Sequence, residues 1–307
     1  ESGSGKSALL ANWLHRWRQA HGGDFVFQHY IGATPGSADH WGLLYRLLAE
    51  IKRWTGDPAE LPVSHDDMLR DLGLWLARLR TKAQRGAVRA LIVLDALNQL
   101  EDRDGARLLG WLPDAPFAGP LRLVVSTLPG DTLDAVERRG WQGLRVEPLT
   151  EGERGRMIVA YLAHFGKRLN APRVARLAAA PATANPLYLK ILLDELRVTG
   201  THERLDERLA DYLAAGDIPA LLEKLLARYE RDYERDCPGL VRQVLALLWA
   251  ARRGLSEPEL LALLRPPDQP QLPLALWAPL RAALDESLVD RGGILSFAHG
   301  FLRAAVE

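Results

Sequence analysis

The sequence predicts an α/β fold in which a parallel sheet wrapped by helices precedes a helical region and a small C-terminal domain. Strand and helix patterns alternate up to residue 149, which is typical of a parallel sheet. Residues 151–235 show helical periodicity only. From Pro238 onwards, three predicted helices precede a short two-stranded ending, the pattern of a winged helix. We therefore predict three domains, at residues 1–149, 150–236 and 237–307.

The amino-acid composition excludes several classes of protein and of binding site. The 307 residues are 48% hydrophobic and 25% charged, as in globular proteins. The 39 Lys and Arg residues balance the 39 Asp and Glu residues, which argues against a nucleic-acid groove or a basic membrane patch. The single cysteine, Cys237, excludes an intrachain disulfide and a cysteine-based metal site. No apolar run approaches the ~18–20 residues that cross a bilayer, so we expect a soluble, cytoplasmic protein without membrane or nucleic-acid partners.

The chain opens with the segment ESGSGKSA, whose Gly3–Ser7 part fits the second half of the pattern G-x-x-x-x-G-K-[ST]. In such a loop, backbone N–H groups cradle phosphates, Lys6 neutralises them and the Ser7 hydroxyl binds Mg²⁺. Apolar residues at helical spacing predict a helix directly after the loop, with its N-terminal dipole towards the phosphates. The alternative is a flexible Gly/Ser linker. The predicted phosphate-binding residues are Gly3, Ser4, Gly5, Lys6, Ser7 and Ala8.

A second motif supports the first. Residues 88–95, VRALIVLD, are an apolar, β-branched run ending in an acid, as expected of a buried parallel strand with Asp95 at its carboxyl edge. There Asp95 would hold Mg²⁺ opposite Ser7. Together the two motifs predict a site for ATP or ADP with Mg²⁺, with Lys6 and Asp95 among its catalytic residues.

The remaining elements follow from periodicity. In the first domain, we predict strands at 24–32, 121–127 and 143–149, and helices at 38–55, 64–85 and 103–112. In the last section, Ser256 with Glu259 three residues on predicts a capping box, and a helix at 274–286 precedes a turn around residues 291–293.

The chain resembles the NACHT-type members of the STAND class of P-loop NTPases, and is similar to telomerase-associated and nephrocystin-type proteins and their bacterial relatives. The resemblance covers almost the whole sequence, in order. It is carried by ESGSGKSALLANW, HYIGATPGSADHWGLL, LIVLDALNQLED, LRLVVSTLPGD, NPLYLKILLDELR and FAHGFLRAAV.

The resemblance implies further site residues. Ser126 or Thr127 would sense the γ-phosphate, and Pro186 would pack on the nucleotide base, although a proline at a helix start is by itself a sufficient explanation of Pro186. His299 would reach the ADP β-phosphate and lock a closed state. The resemblance also implies a strand before Glu1, between the Ser126 strand and the 143–147 strand; without it we expect this chain to fold poorly alone.

The sequence departs from many NACHT proteins at residues that would activate water for ATP hydrolysis. Where many NACHT proteins have further acids after the Mg²⁺ aspartate, this chain has Asn98 and Gln99, neither of which is a general base. Hydrolysis would depend on Gln99 orienting water, or on Glu101 or Asp102 reaching the site. We therefore expect slow hydrolysis at most.

The expected function is a nucleotide-gated switch that controls opening and self-association of a larger signalling or defence protein, with sensor and effector regions outside this chain. One alternative is a nucleotide-binding scaffold that never hydrolyses. Another is a P-loop regulator whose winged helix reads DNA. The candidate helix for this role, at 256–267, has Arg265 but no cluster of basic residues to neutralise DNA phosphates.

Overall fold

The computed structural model describes residues 2–34, 36–113, 117–198, 204–251, 253–298 and 300–306. The chain divides into two compact units, Glu1–Val146 and Glu147–Glu307. Each unit has its own hydrophobic core. Among the described residues, no helix combines the length and the apolar character that crossing a membrane requires.

The first unit contains a parallel sheet of three strands in the order β1-β2-β3. The strands are β1 (Phe25–Tyr30), β2 (Ala90–Asp95) and β3 (Leu121–Val125). The central strand β2 is buried along its whole length, because helices cover both of its faces. The register pairs Tyr30 with Asp95 and Leu94 with Val125, so the three strands end at one edge of the sheet.

In the described part of this unit, four α-helices accompany the sheet. They are α1 (Lys6–Ala20), α2 (His40–Thr55), α3 (His65–Arg85) and α4 (Asp131–Arg138). Leu14 of α1 packs with Leu91 and Val93 on one face of β2, while α2 and α3 supply most of the core on the other face. The Asp39 side chain caps α2 and that of Ser64 caps α3, each by accepting bonds from backbone N–H groups of the first turn.

Two predicted elements of this unit are wrong. The helix expected at 103–112 is a single 3₁₀ turn, Ala106–Leu108, because Asp104 and Leu109 adopt left-handed φ angles of 53° and 62° and interrupt any α-helix. The strand expected at 143–149 does not form. This segment has no ladder partner among the described residues, and its Leu144 is 88% exposed.

The second unit opens with α-helices, as the periodicity of residues 151–235 predicts, and its described residues form five of them up to Tyr233. Thr150 caps the first of them in a capping box with Glu153. A 3₁₀ turn at Pro181–Ala184 precedes the third. The helices are α5 (Glu151–His164), α6 (Ala171–Ala179), α7 (Pro186–Val198), α8 (Leu205–Leu213) and α9 (Ile218–Tyr233).

The described residues of the last part of the chain add four helices and a small antiparallel sheet in the order β4-β6-β5. The Ser256–Glu259 capping box forms as predicted, and β5 and β6 pair as a hairpin around Gly292 and Gly293. The elements are α10 (Leu240–Ala250), β4 (Leu255–Ser256), α11 (Glu257–Leu263), α12 (Leu274–Ala283), β5 (Leu288–Arg291), β6 (Ile294–Phe297) and α13 (Gly300–Val306).

A single hydrophobic core runs through the second unit, from Ile158 in α5 to Leu302 in α13. Helix α9 lies against α10, α12 and α13. The predicted division of this unit at residue 236 stays a prediction, and the core is continuous across it.

Candidate functional site

The sequence-predicted residues of the first unit gather at the carboxyl edge of the parallel sheet. Strand β2 ends at Asp95, which alternation places on the face that carries Leu91 and Val93. Those two residues contact α1, so Asp95 lies on the side of the sheet where α1 begins. Tyr30 is the register neighbour of Asp95 on β1, and Ser126 directly follows β3.

The loop before α1 contains two glycines in left-handed backbone conformations. Gly3 and Gly5 adopt left-handed φ angles of 77° and 84°, which only glycine adopts readily. Alternating conformations of this kind turn successive N–H groups towards one point. Helix α1 starts at Lys6, whose Nζ donates to Ser4 Oγ at 3.1 Å, whereas Ser7 and Ala8 are exposed in the first turn.

A buried carboxylate lies at the centre of the cluster. Asp95 is 3% exposed and accepts a hydrogen bond from the Ser126 hydroxyl. The Ser126 Oγ in turn accepts from the Ala96 N–H at 2.8 Å. Partial burial lowers the pKa of Lys6, and the negative charge of Asp95 opposes that shift. The structure therefore brings Lys6, Asp95 and Ser126 into one electrostatic cluster.

The two hydroxyl residues after β3 differ in their contacts. Whereas Ser126 bonds to Asp95, the Thr127 hydroxyl donates to the carbonyl of its own neighbour, Leu128, at 3.2 Å. Asn98 Oδ1 accepts from the Leu128 N–H at 3.2 Å, so Asn98 joins the segment after β2 to the segment after β3. Of the two candidates for a sensor, Ser126 is the one in contact with Asp95.

Gln99 ends a 3₁₀ turn, Leu97–Gln99, and its exposed side chain lies against the backbone of Gly32, just beyond β1. Its carboxamide therefore lies between the segments that follow β1 and β2.

Sequence reasoning did not single out Tyr30 or Gly32. Burial and the negative charge of Asp95 raise the pKa of Tyr30, and the Arg18 guanidinium opposes this shift. The available signal for Tyr30 was its position at the end of β1, because neighbouring parallel strands bring their carboxyl ends to one edge. For Gly32, no sequence pattern indicated which side chain lies against it.

The donor set fits a nucleotide with Mg²⁺. A carboxylate and a hydroxyl oxygen are ligands that Mg²⁺ accepts, and Asp95 and Ser7 supply one of each. The two left-handed glycines and the helix start supply N–H groups for phosphate oxygens, and Lys6 supplies the positive charge. No group of three or more His, Cys, Asp or Glu side chains suited to a metal occurs among the described residues.

Two further predicted contacts, Pro186 and His299, fall in the second unit of the chain. Pro186 belongs to the second unit, where it is the first residue of α7, and the Asn185 side chain accepts from the N–H of Leu187 at 2.9 Å. This is the helix-start role that proline fills without any ligand. His299 lies outside the described residues.

The chain is similar over its whole length to a TPR repeat-containing protein of Dictyostelium discoideum, with 28% identity. It is 27% identical over 86% of its length to telomerase protein component 1 of Mus musculus, and 24% identical over 85% to nephrocystin-3 of Homo sapiens. The chain spans only 20%, 10% and 19% of these three proteins, respectively.

No family model matches the chain. Among solved structures, a Walker-type ATPase of Pyrococcus abyssi aligns over 99% of this chain and 88% of its own, with 13% identity and a TM-score of 0.44. At that score the likeness is distant, and nothing about function follows from it.

Proposed function

We propose that this chain is the nucleotide-binding part of a P-loop NTPase of the NACHT type, which binds ATP or ADP with Mg²⁺ and hydrolyses ATP slowly. The observation that carries the proposal is the clustering of Lys6, Asp95 and Ser126 at the carboxyl edge of a parallel sheet, beside a glycine loop that opens a helix. Sequence similarity to a telomerase component and to nephrocystin-3 agrees with the family resemblance.

Each residue has a role in this proposal. Gly3, Ser4, Gly5 and Ala8 present backbone N–H groups to the phosphates, and Lys6 balances their charge. Ser7 and Asp95 hold Mg²⁺, which would neutralise charge that develops on the phosphates. Ser126 orients Asp95, and Gln99 orients water. Pro186 and His299 stay proposed contacts to the base and the β-phosphate.

We further propose that the bound nucleotide controls opening of the domains and self-association. ADP and ATP shift such an equilibrium only if they interact differently with the two states, which the additional phosphate provides. In this proposal residues 237–307 are a winged helix that closes over ADP. Sensor and effector parts would lie in regions that the relatives have outside the aligned segment.

The second candidate is a scaffold that binds nucleotide without hydrolysis. It is favoured by the side chains after Asp95, because the Asn98 carboxamide already bonds to the Leu128 N–H and the Gln99 carboxamide contacts Gly32. Neither is a proton acceptor. A DNA-reading role has less support, because α11 begins with two acidic residues, Glu257 and Glu259, and carries no basic one.

The test is the nucleotide content of the natural full-length protein. The purified protein is denatured and the released nucleotide is identified by chromatography, with Lys6→Ala as the site variant and Lys52→Ala, near the far end of α2, as the matched control. We expect ADP from the parent and from Lys52→Ala, and none from Lys6→Ala. ATP that survives incubation with Mg²⁺ would favour the scaffold. If no nucleotide is released and none binds on addition, both candidates fail.

A further inference from the structure

Gly32 is the second residue after β1, and two observations explain why a glycine is needed there. Its φ angle is +77°, a left-handed conformation that L side chains rarely adopt. In addition, a Cβ built at this position would lie 3.2 Å from Gln99 Cδ and closer still to Gln99 Oε1. A side chain at residue 32 would therefore displace the Gln99 carboxamide.

The backbone around Gln99 is held firmly, so its side chain is the part that would yield. Ala96 has a left-handed φ of 63°, and the Leu97 N–H donates to the Ser126 carbonyl at 2.9 Å. The Gln99 N–H donates to the Ala96 carbonyl at 2.8 Å. These bonds attach Gln99 to the segment that begins at Asp95.

The loop that carries Gly32 is also tied to the segment after Gln99. The Glu101 N–H donates to the Ala38 carbonyl at 2.9 Å, and the Arg103 guanidinium pairs with the Asp39 carboxylate at 3.1 Å. These two contacts hold Ala38 and Asp39 against Glu101 and Arg103. Next to Gly32, the Ile31 N–H donates to the Asp95 carbonyl at 3.1 Å, which holds the start of this loop beside the segment that leads to Gln99.

We propose that Gly32 is a positioning residue for the nucleotide site, because the absence of a side chain there lets the Gln99 carboxamide lie in the gap between the segments that follow β1 and β2. This inference rests on the proposed function. A carboxamide has both donors and an acceptor, so its orientation decides which face it presents to a water molecule near Asp95. Gly32 fixes that orientation and touches no substrate itself.

Gly36 in the same loop is the matched control. Its φ is +84°, so Gly36→Ala introduces a comparable backbone strain. Among the described residues, however, no heavy atom beyond its chain neighbours lies within 4 Å of a Cβ at this position. The two alanine variants differ chiefly in the collision with Gln99.

The experiment compares Gly32→Ala, Gly36→Ala, Gln99→Ala and the double variant Gly32→Ala/Gln99→Ala in the natural full-length protein. Equilibrium affinities for ATP and ADP with Mg²⁺, steady-state ATP hydrolysis and thermal unfolding are measured for each. We expect Gly32→Ala to slow hydrolysis on the order of tenfold to a hundredfold, with affinities within about twofold of the parent. Gly36→Ala should hydrolyse ATP at about the parental rate. In the Gln99→Ala background, Gly32→Ala should cause no further loss, because the atom it displaces is gone.

The inference is overturned if Gly32→Ala and Gly36→Ala behave alike, or if the loss from Gly32→Ala persists undiminished without the Gln99 side chain. If the parent binds ATP but does not hydrolyse it, this inference is overturned while nucleotide binding stands, because Gln99 then orients no water for hydrolysis. A parent that binds no more nucleotide than Lys6→Ala overturns the proposed function and this inference together.

Discussion

At the scale of residues, the buried Asp95 carboxylate accepts a hydrogen bond from the Ser126 hydroxyl. Asp95 is only 3% exposed, and burying a polar group costs free energy unless protein hydrogen bonds replace those to water; the Ser126 hydroxyl supplies one. The same hydroxyl accepts the Ala96 N–H, so Ser126 also fixes the turn that leads from Asp95 to Gln99. Ser126 thereby joins the end of β3 to the end of β2.

We therefore predict that Ser126→Ala weakens Mg²⁺-dependent ATP binding about tenfold, equivalent to ~1.4 kcal/mol, because Asp95 loses a donor and the Ala96 N–H loses its acceptor. Titration of the full-length protein with ATP, with and without Mg²⁺, measures the effect. Thr127→Val is the matched control, since the Thr127 hydroxyl bonds to the adjacent Leu128 carbonyl. A larger loss for Thr127→Val than for Ser126→Ala would assign the sensor role to Thr127 instead.

At the scale of helices and strands, sequence patterns predicted the elements that depend on interactions between residues close in sequence. Helix α1 and strand β2 follow from local sequence patterns. The glycine-rich motif located Lys6, and the acid at the end of the apolar run located Asp95. The helix at 103–112 was wrong because the left-handed angles of Asp104 and Leu109 come from tertiary packing that no periodicity records. The strand at 143–149 was wrong because a strand needs a ladder partner, and its own residues do not supply one. The contact between Gln99 and Gly32 joins the segments that follow β2 and β1, and no local sequence pattern predicted it.

Helices α7, α8 and α9 meet at another buried carboxylate, Glu195, which is 4% exposed. Glu195 pairs with the Arg228 guanidinium at 2.8 Å and accepts from the hydroxyls of Tyr212 and Tyr229, each at 3.2 Å. Burial, together with the charge of Glu195, raises the pKa of Tyr212 to about 12, so this hydroxyl stays a donor at neutral pH. One side chain thus satisfies polar groups from two other helices.

We predict that Glu195→Ala lowers the free energy of unfolding by roughly 3–5 kcal/mol, because the buried Arg228 guanidinium loses its buried partner and keeps only its pair with Asp232 at 3.0 Å. Urea unfolding followed by circular dichroism measures the loss. Glu223→Ala, an exposed position on α9, is the matched control and should change stability by about 0.5 kcal/mol or less. Replacing both partners, as Glu195→Leu with Arg228→Met, should cost less than Glu195→Ala alone. Equal effects of Glu195→Ala and Glu223→Ala would show that the ion pair contributes nothing.

At the scale of the whole molecule, the continuous core of the second unit concerns whether the residues before and after 236 would move separately or together in a nucleotide switch. Leu225 of α9, Val244 of α10 and Leu302 of α13 belong to one cluster, each 3% exposed or less. Polar contacts also cross residue 236: the Lys190 ammonium pairs with Glu286 at 2.6 Å, and the Tyr229 hydroxyl donates to the Ala283 carbonyl at 3.3 Å. Opening this unit at residue 236 would expose a shared core.

We therefore predict that residues 147–306 open as one cooperative unit, which native-state hydrogen exchange of the full-length protein measures. Leu225→Ala should cost about 2–5 kcal/mol and lower the protection of amides in α10 and α13 by the same amount as in α9. Leu263→Ala, at a position 58% exposed, is the matched control and should leave all three helices protected. An independent C-terminal domain would instead keep α10 and α13 protected when Leu225 is truncated. That result would place the moving boundary of the switch at residue 236, whereas a shared loss of protection would move it to the segment before α5.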